Sequence, residues 1–480
     1  MSDSKRNSLV TNTAWASFGQ IGYLGVLFGT NMILSRILSP KEFGQVGIVM
    51  FFIAFAAVMA ESGFSGALIR SKNVDEKHYS TFFIFNLLVS IFLFFCFFLI
   101  SNFVAEFYND STLKNIIIVS SLVLITNSFN FVQNTRLIRE FNFKLRALLS
   151  FCSIFLSSLL AIFLAYKGFG VWSLVFLQLG NSVFYAIFLW INKIPFRKLI
   201  FDKVAFLEMY KFGMNTTFSS LLDSIFENIY QLVIGKFFSI NQVGFFYQGK
   251  RIQEMPMGLL NMLTQGVIYS HLSKLQDDKN LFEEKSHTIL NYFLVILAFF
   301  SGLIFIYADS IILIVLGEKW LEAVFFMKML IVGSFFYFIE LYGRMMLKII
   351  DKTKSILYLE YVKKIIQAVT VILAVLMLNL KVLIIGFVST NLLSGLFYYY
   401  FSQKTAFSKI DKFSLKKNIT LILIIIITGF LMIIFNNFLS LNKYLKLATL
   451  PIFLMVYSAT ILVFKIVDMN EIKTIIKFKK

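Results

Sequence analysis

Leu34-Ser-Arg-Ile-Leu-Ser-Pro-Lys-Glu-Phe-Gly44 decides the fold. It is a short joint between two apolar runs, 12–35 and 43–67. Each run is long enough to cross a bilayer, which takes about 20 residues of helix. At an offset of 200 residues stands Ile234-Gly-Lys-Phe-Phe-Ser-Ile-Asn-Gln-Val-Gly244. Ser39 and Ser239 coincide, as do Gly44 and Gly244, and Arg36 is matched by Lys236. Gly66 and Gly266 coincide again after the following run. The joint therefore opens two units, one at spans 1–2 and one at spans 7–8. Six spans separate them, an even number, so both units enter the membrane in the same direction. That is a parallel repeat about an axis along the membrane normal, a transporter pattern in which two bundles rock around a central cavity.

Outward from the joint, further apolar runs occupy 80–102, 114–135, 147–166, 169–191, 207–236, 242–270, 288–308, 323–346, 356–379, 381–402, 417–438 and 444–467. With the first two they make fourteen expected spans. Composition agrees: 58% of the 480 residues are apolar, which at about 20 per span leaves room for roughly fourteen. Charged residues are only 15%, against roughly a quarter in soluble domains. Runs such as Ile116–Ser121 and Leu421–Ile427 are continuously apolar, which argues against a membrane barrel of alternating strands. The expected class is all-α and polytopic. A soluble enzyme, a nucleic-acid-binding module, a secreted disulfide scaffold and a disordered chain are excluded.

The net charge of +19 is explained by topology. With the N-terminus inside, the inner loops hold 31 Lys and Arg and the outer loops 9. Lys and Arg concentrate in cytoplasmic loops, so both termini are expected in the cytoplasm. The N-terminal run is too long for a signal core and reads as a first membrane helix. Cys96 and Cys152 lie in apolar runs, and His78, His271 and His287 beside polar loops; no metal-binding spacing joins them. The loop Arg136-Leu-Ile-Arg-Glu-Phe-Asn-Phe-Lys-Leu-Arg146 reads chiefly as positive-inside topology, with contact to anionic lipid head groups as the sharper alternative.

Ionisable side chains at membrane depth are costly and mark a bundle interior or a wet cavity. Asp223 and Glu227 lie four apart on one face of span 7. Lys250, Arg251 and Glu254 follow in span 8, ahead of Pro256, with Arg251 and Glu254 spaced to pair. Glu340 and Arg344 are four apart in span 10, spaced as a structural pair. Glu61 stands in span 2 without a basic neighbour in sequence; Lys363 and Lys364 lie near enough to the interface to snorkel. The bland reading pairs Asp223 or Glu227 with Lys250 or Arg251. The sharper one puts Lys250 and Arg251 in an anion-attracting cavity. No GxSxG, Walker or HExxH motif is present, so no enzyme and no cofactor is expected, and transport must draw on a gradient or a partner.

Several stretches carry a resemblance. Asn12-Thr-Ala-Trp15, the joint 34–44, Glu61-Ser-Gly-Phe-Ser-Gly-Ala-Leu-Ile69, and Val243-Gly-Phe-Phe-Tyr-Gln-Gly-Lys-Arg251 followed by Pro256 resemble bacterial oligosaccharide flippases. These belong to the multidrug/oligosaccharidyl-lipid/polysaccharide exporter superfamily. The branch these stretches resemble is that of O-antigen, colanic-acid-like or teichuronic-acid-like exporters. The resemblance implies two six-helix bundles, 1–200 and 201–404, plus two C-terminal helices in 405–480. It implies translocation of polyprenyl-pyrophosphate-linked oligosaccharide across the bacterial inner membrane. It implies lipid-linked oligosaccharide and membrane lipids as partners, with a polysaccharide polymerase and a chain-length regulator beside them, and no nucleic acid. It also implies a cationic cavity, for which Lys250 and Arg251 are the matching positions; Arg36 and Lys236 sit at matching outer ends. The alternatives are a cation-coupled multidrug exporter, which Asp223, Glu227 and Glu61 would suit, a lipid II flippase, and a membrane glycan polymerase or ligase. The last calls for a large periplasmic loop, and none stands between the spans.

Overall fold

The structure, a computed structural model, describes residues 3–192, 199–264, 268–276, 278–406, 434–435 and 445–463. Every regular element among them is helical. The first compact unit is Met1–Tyr247. It holds α1 (Asp3–Ile37), α2 (Pro40–Glu61), α3 (Phe64–Arg70), α4 (Glu76–Phe107), α5 (Thr112–Arg139), α6 (Phe143–Tyr166), α7 (Trp172–Asn192), α8 (Lys203–Phe237) and the first two turns of α9 (Ile240–Leu263). The second unit, Gln248–Lys480, holds the rest of α9, α10 (Tyr269–Ser273), α11 (Lys279–Val315), α12 (Ala323–Ile349), α13 (Thr353–Leu376), α14 (Leu380–Ala406) and a last helix, Leu450–Val463.

Eight helices among the described residues are long and apolar enough to cross a membrane: α2, α4, α5, α6, α7, α11, α12 and α14. The first twelve expected spans each fall mainly on helix; residues 265–267 of the eighth lie outside the described residues. The expected span 417–438 lies outside the described residues apart from Ile434 and Phe435, and so does Gly266. In α4 the polarity is inverted relative to a soluble helix. Leu88, Phe92, Leu99 and Phe103 are exposed, while Ser80, Thr81, Asn86, Ser90 and Ser101 are buried. Apolar side chains face lipid, and the small polar ones pack between helices, where they bring backbones close and bond locally.

The repeat is structural. α1 runs from residue 3 to 37 and α8 from 203 to 237; α2 begins at 40 and α9 at 240. The 200-residue offset is thus kept at two helix boundaries, the ends of α1 and α8 and the starts of α2 and α9. Burial follows the same register: Leu34, Ser35, Phe43 and Gly44 are buried like Ile234, Gly235, Val243 and Gly244, and Arg36 and Ile37 are exposed like Lys236 and Phe237. The two joints meet. A Cβ added to Gly44 would run into the Ile240 carbonyl, and one added to Gly244 would run into the Pro40 carbonyl. Exchanging each residue for its counterpart 200 positions away turns one contact into the other, as in a self-complementary two-fold contact.

Local chemistry sets the joint. Ser39 caps α2, and Glu42 reaches back to the Ser39 backbone N–H at 2.6 Å, a capping box with Pro40 at the first helical position. Gln45, on the next turn, donates to Asp110 at 2.8 Å, and Lys41 approaches the same carboxylate at 3.2 Å. Burial alone would raise the Asp110 pKa; the hydrogen bonds from Thr112, Gln45 and Lys41 outweigh it and hold the carboxyl below its ordinary value. α2 is thereby tied to the α4–α5 turn.

Span 2 departs from its expectation. It does not run unbroken from 43 to 67 but stops at Ser62 (φ 50°) and Gly63 (φ 66°), and α3 restarts beyond them. Two successive left-handed residues make an elbow. It packs on α8: a Cβ on Gly63 would strike the Thr216 hydroxyl, and one on Gly213 would strike the Ser62 carbonyl. Phe64, Leu68, Phe82, Val132 and Met209 form the buried cluster beneath it.

Candidate functional site

α8 carries an unusual polar load, part of which is satisfied within the helix. Thr216 and Thr217 donate to the Gly213 carbonyl at 2.7 and 2.8 Å, and Asn228 to the Ser224 carbonyl at 2.9 Å. Asp223 and Glu227 are exposed, one helical turn apart, with Ser219 and Ser220 also exposed on the preceding turn. On α9, Lys250 meets Glu254 at 3.6 Å across one turn, and Arg251 beside it is half-buried. An i,i+4 ion pair on this helix thus joins Lys250 to Glu254. The helix continues through Pro256 to Leu263. Glu61 is the last residue of α2, half-buried at the elbow, and makes no hydrogen bond or ion pair among the described residues.

Glu340 and Arg344 do pair, at 2.6 Å, but within a larger network than two residues. Glu340 has no exposed surface. It also accepts from Lys363 at 2.9 and 3.0 Å and from the Ser394 hydroxyl at 2.7 Å. Arg344 reaches Glu360 at 2.6 Å, and Tyr398 donates to the same carboxylate at 3.3 Å. Lys364 lies 3.6 Å from Glu360. The network joins α12, α13 and α14, and its five charged members are two acids and three bases. The expectation that Lys363 and Lys364 snorkel outward is corrected: their side chains are 12% and 16% exposed, and both turn inward because Glu340 and Glu360 give them anions at short range. Sequence spacing revealed only the pair within one helix; partners on three helices have no mark in the chain.

The matching outer-end cations behave as surface groups. Arg36 is exposed. Lys236 donates to the Phe107 carbonyl at 2.7 Å and lies 4.1 Å from that ring's centre. It lines an apolar cleft of about 520 Å³ between α2, α4 and α8, together with Phe51, Phe52, Phe103, Leu232 and Val233. No cluster of metal-ligating side chains occurs among the described residues.

The fold and its apolar helices define a multi-pass helical membrane protein built on a parallel repeat. Residues 33–325 match the family model of polysaccharide biosynthesis proteins, and the chain belongs to that family. It is 24% identical to the succinoglycan biosynthesis transport protein ExoT of Rhizobium meliloti, over 66% of this chain and 64% of that protein. It is 23% identical to the teichuronic acid biosynthesis protein TuaB of Bacillus subtilis, over 66% of each. To the lipopolysaccharide biosynthesis protein WzxC of Escherichia coli it is 19% identical, over 66% of this chain and 65% of the other. The chain thus spans about two thirds of the length of the curated relatives it matches. Among solved structures, the lipid II flippase MurJ in an inward closed conformation shares the fold, with a TM-score of 0.73 at 16% identity, covering 95% of this chain and 98% of that one. An inward-facing multidrug resistance MATE transporter aligns at a TM-score of 0.61 and 17% identity, over 80% and 94%.

Proposed function

We propose that the protein translocates polyprenyl-pyrophosphate-linked oligosaccharide across the bacterial inner membrane for surface polysaccharide assembly. The family match over residues 33–325 carries this reading. The names of relatives that transport succinoglycan or build teichuronic acid and lipopolysaccharide support it. The chain is organised as six helices, six helices and two, divided near residues 200 and 404, with both termini in the cytoplasm. A polymerase and a chain-length regulator act on the product after it has crossed.

The repeat supports a role for the charges. The counterparts of Asp223, Glu227, Lys250, Arg251 and Glu254, two hundred residues earlier, are Tyr23, Leu27, Met50, Phe51 and Ala54. The first copy therefore folds its helix pair without any of these charges, and packing alone does not require them in the second. Lys250 and Arg251 take the anionic pyrophosphate with Glu254 beside them, Asp223, Glu227 and Glu61 serve the translocation path in the first unit, and Arg344 with Glu340 holds the second unit's helices in place. The polyprenyl tail stays in lipid. Charge reversal tests this. Lys250→Glu combined with Arg251→Glu should lower export of the polysaccharide at least about tenfold, the loss of one charge-assisted contact, with membrane expression unchanged. Undiminished export would remove both residues from the site.

A further inference from the structure

The four basic residues of the inner loop 136–146 divide into two kinds. Arg136 is buried, meets Glu76 at 2.5 Å and stacks 4.4 Å from the Tyr79 ring centre. Arg139 donates to the Leu68 and Lys72 carbonyls at 2.7 and 3.1 Å. Lys144 lies over the Trp15 ring at 5.0 Å. These three fix the loop to its own unit. Arg146 is of the other kind. It stands in the first turn of α6 and forms no ion pair among the described residues. Its Nε donates to Asn134 Oδ1 at 2.8 Å, and Tyr185 donates to the same oxygen at 3.0 Å. A guanidinium has five N–H donors, so most remain for another acceptor.

Arg146 lines a cavity of about 250 Å³ between α1, α5, α6 and α7. Gln20, Tyr23, Asn181 and Tyr185 share its wall. Asn181 donates to Tyr23 at 3.3 Å, yet its Oδ1 is buried with no hydrogen-bond partner. A buried acceptor in that condition can take a donor such as an ordered water or a ligand hydroxyl. The cavity therefore asks for two things at once: an anion for Arg146 and a hydroxyl for Asn181. It is smaller than the roughly 300–1,000 Å³ typical of drug-sized ligands, which suits one head group and excludes an oligosaccharide.

We propose that this cavity binds a hydroxylated phosphate ester, its phosphate on Arg146 and its hydroxyl on Asn181. Two sources share that chemistry: an anionic glycerophospholipid head group such as phosphatidylglycerol, and a soluble glycerol or sugar phosphate. The site lies wholly within the first unit and stands independently of the translocation proposed above.

The test uses the full-length protein purified in detergent. Phosphatidylglycerol and phosphatidylcholine retention is read by native mass spectrometry, and glycerol 3-phosphate is titrated against the unfolding midpoint without added lipid. The wild type should prefer phosphatidylglycerol over phosphatidylcholine if the source is lipid, or be stabilised by glycerol phosphate if it is soluble. Arg146→Gln should weaken the responding probe about tenfold or more, the scale of one charge-assisted contact. Asn181→Asp keeps the amide's shape and puts a carboxylate beside the cation; it should weaken the same probe. Lys144→Gln, on the same loop but outside the cavity, should not. A wild type that responds to neither probe overturns the proposal. So does a response that survives in Asn181→Asp, whether or not Arg146→Gln folds.

Discussion

Glu340→Ala should cost about 3–5 kcal/mol of stability, the scale for breaking a buried ion pair by removing one partner. The magnitude follows from what the carboxylate holds. It is fully buried and accepts from Arg344, Lys363 and Ser394, so its removal leaves the inward-turned Lys363 without its anion and Arg344 with Glu360 alone. Lys363 cannot simply swing to water, because its side chain is 12% exposed. Glu340→Gln keeps volume and one acceptor and should cost less. Thermal or denaturant unfolding of the purified protein measures both. A loss below about 1 kcal/mol for Glu340→Ala, the scale of an exposed pair, would mean the network contributes no more than surface charges do.

The second large effect is at the crossing of the two joints. Gly44→Ala and Gly244→Ala each place a methyl against a backbone carbonyl, at Ile240 and at Pro40. A side chain could rotate away; a carbonyl inside a helix cannot. Each substitution should cost about 1–3 kcal/mol, the usual range for overpacking. Because separation of α2 from α9 relieves both clashes, the double mutant should cost less than the sum of the singles. Unfolding midpoints of the three variants decide this, and near-zero changes or strict additivity would contradict a shared close contact.

Much of the fold was legible because two signals are one-dimensional. Apolar run length marks a span, and the offset between Leu34–Gly44 and Ile234–Gly244 marks the repeat. The same offset then recurs where α1 and α8 end and where α2 and α9 begin. The elbow at Ser62–Gly63 was not legible, since a Ser-Gly pair in an apolar run is read the same way whether the helix bends or continues; the close approach of Gly213 makes the difference. The site was legible only in part. Spacing shows which charges share a helix face, as with Glu340 and Arg344. It cannot show that Lys363 and Ser394 join them from two other helices. Arg146 was hidden for the opposite reason: beside Arg136, Arg139 and Lys144 it looked like one more topology signal, and only the partners of the other three set it apart.

The most direct test of translocation follows the lipid-linked repeat unit in cells deleted for this protein, by measuring how much of it is accessible from the outer face of the inner membrane. The account predicts that polyprenyl-pyrophosphate-linked units accumulate on the inner leaflet and that re-expression of the wild-type chain restores their outward delivery. Outward delivery at the normal rate in the deleted cells would contradict it.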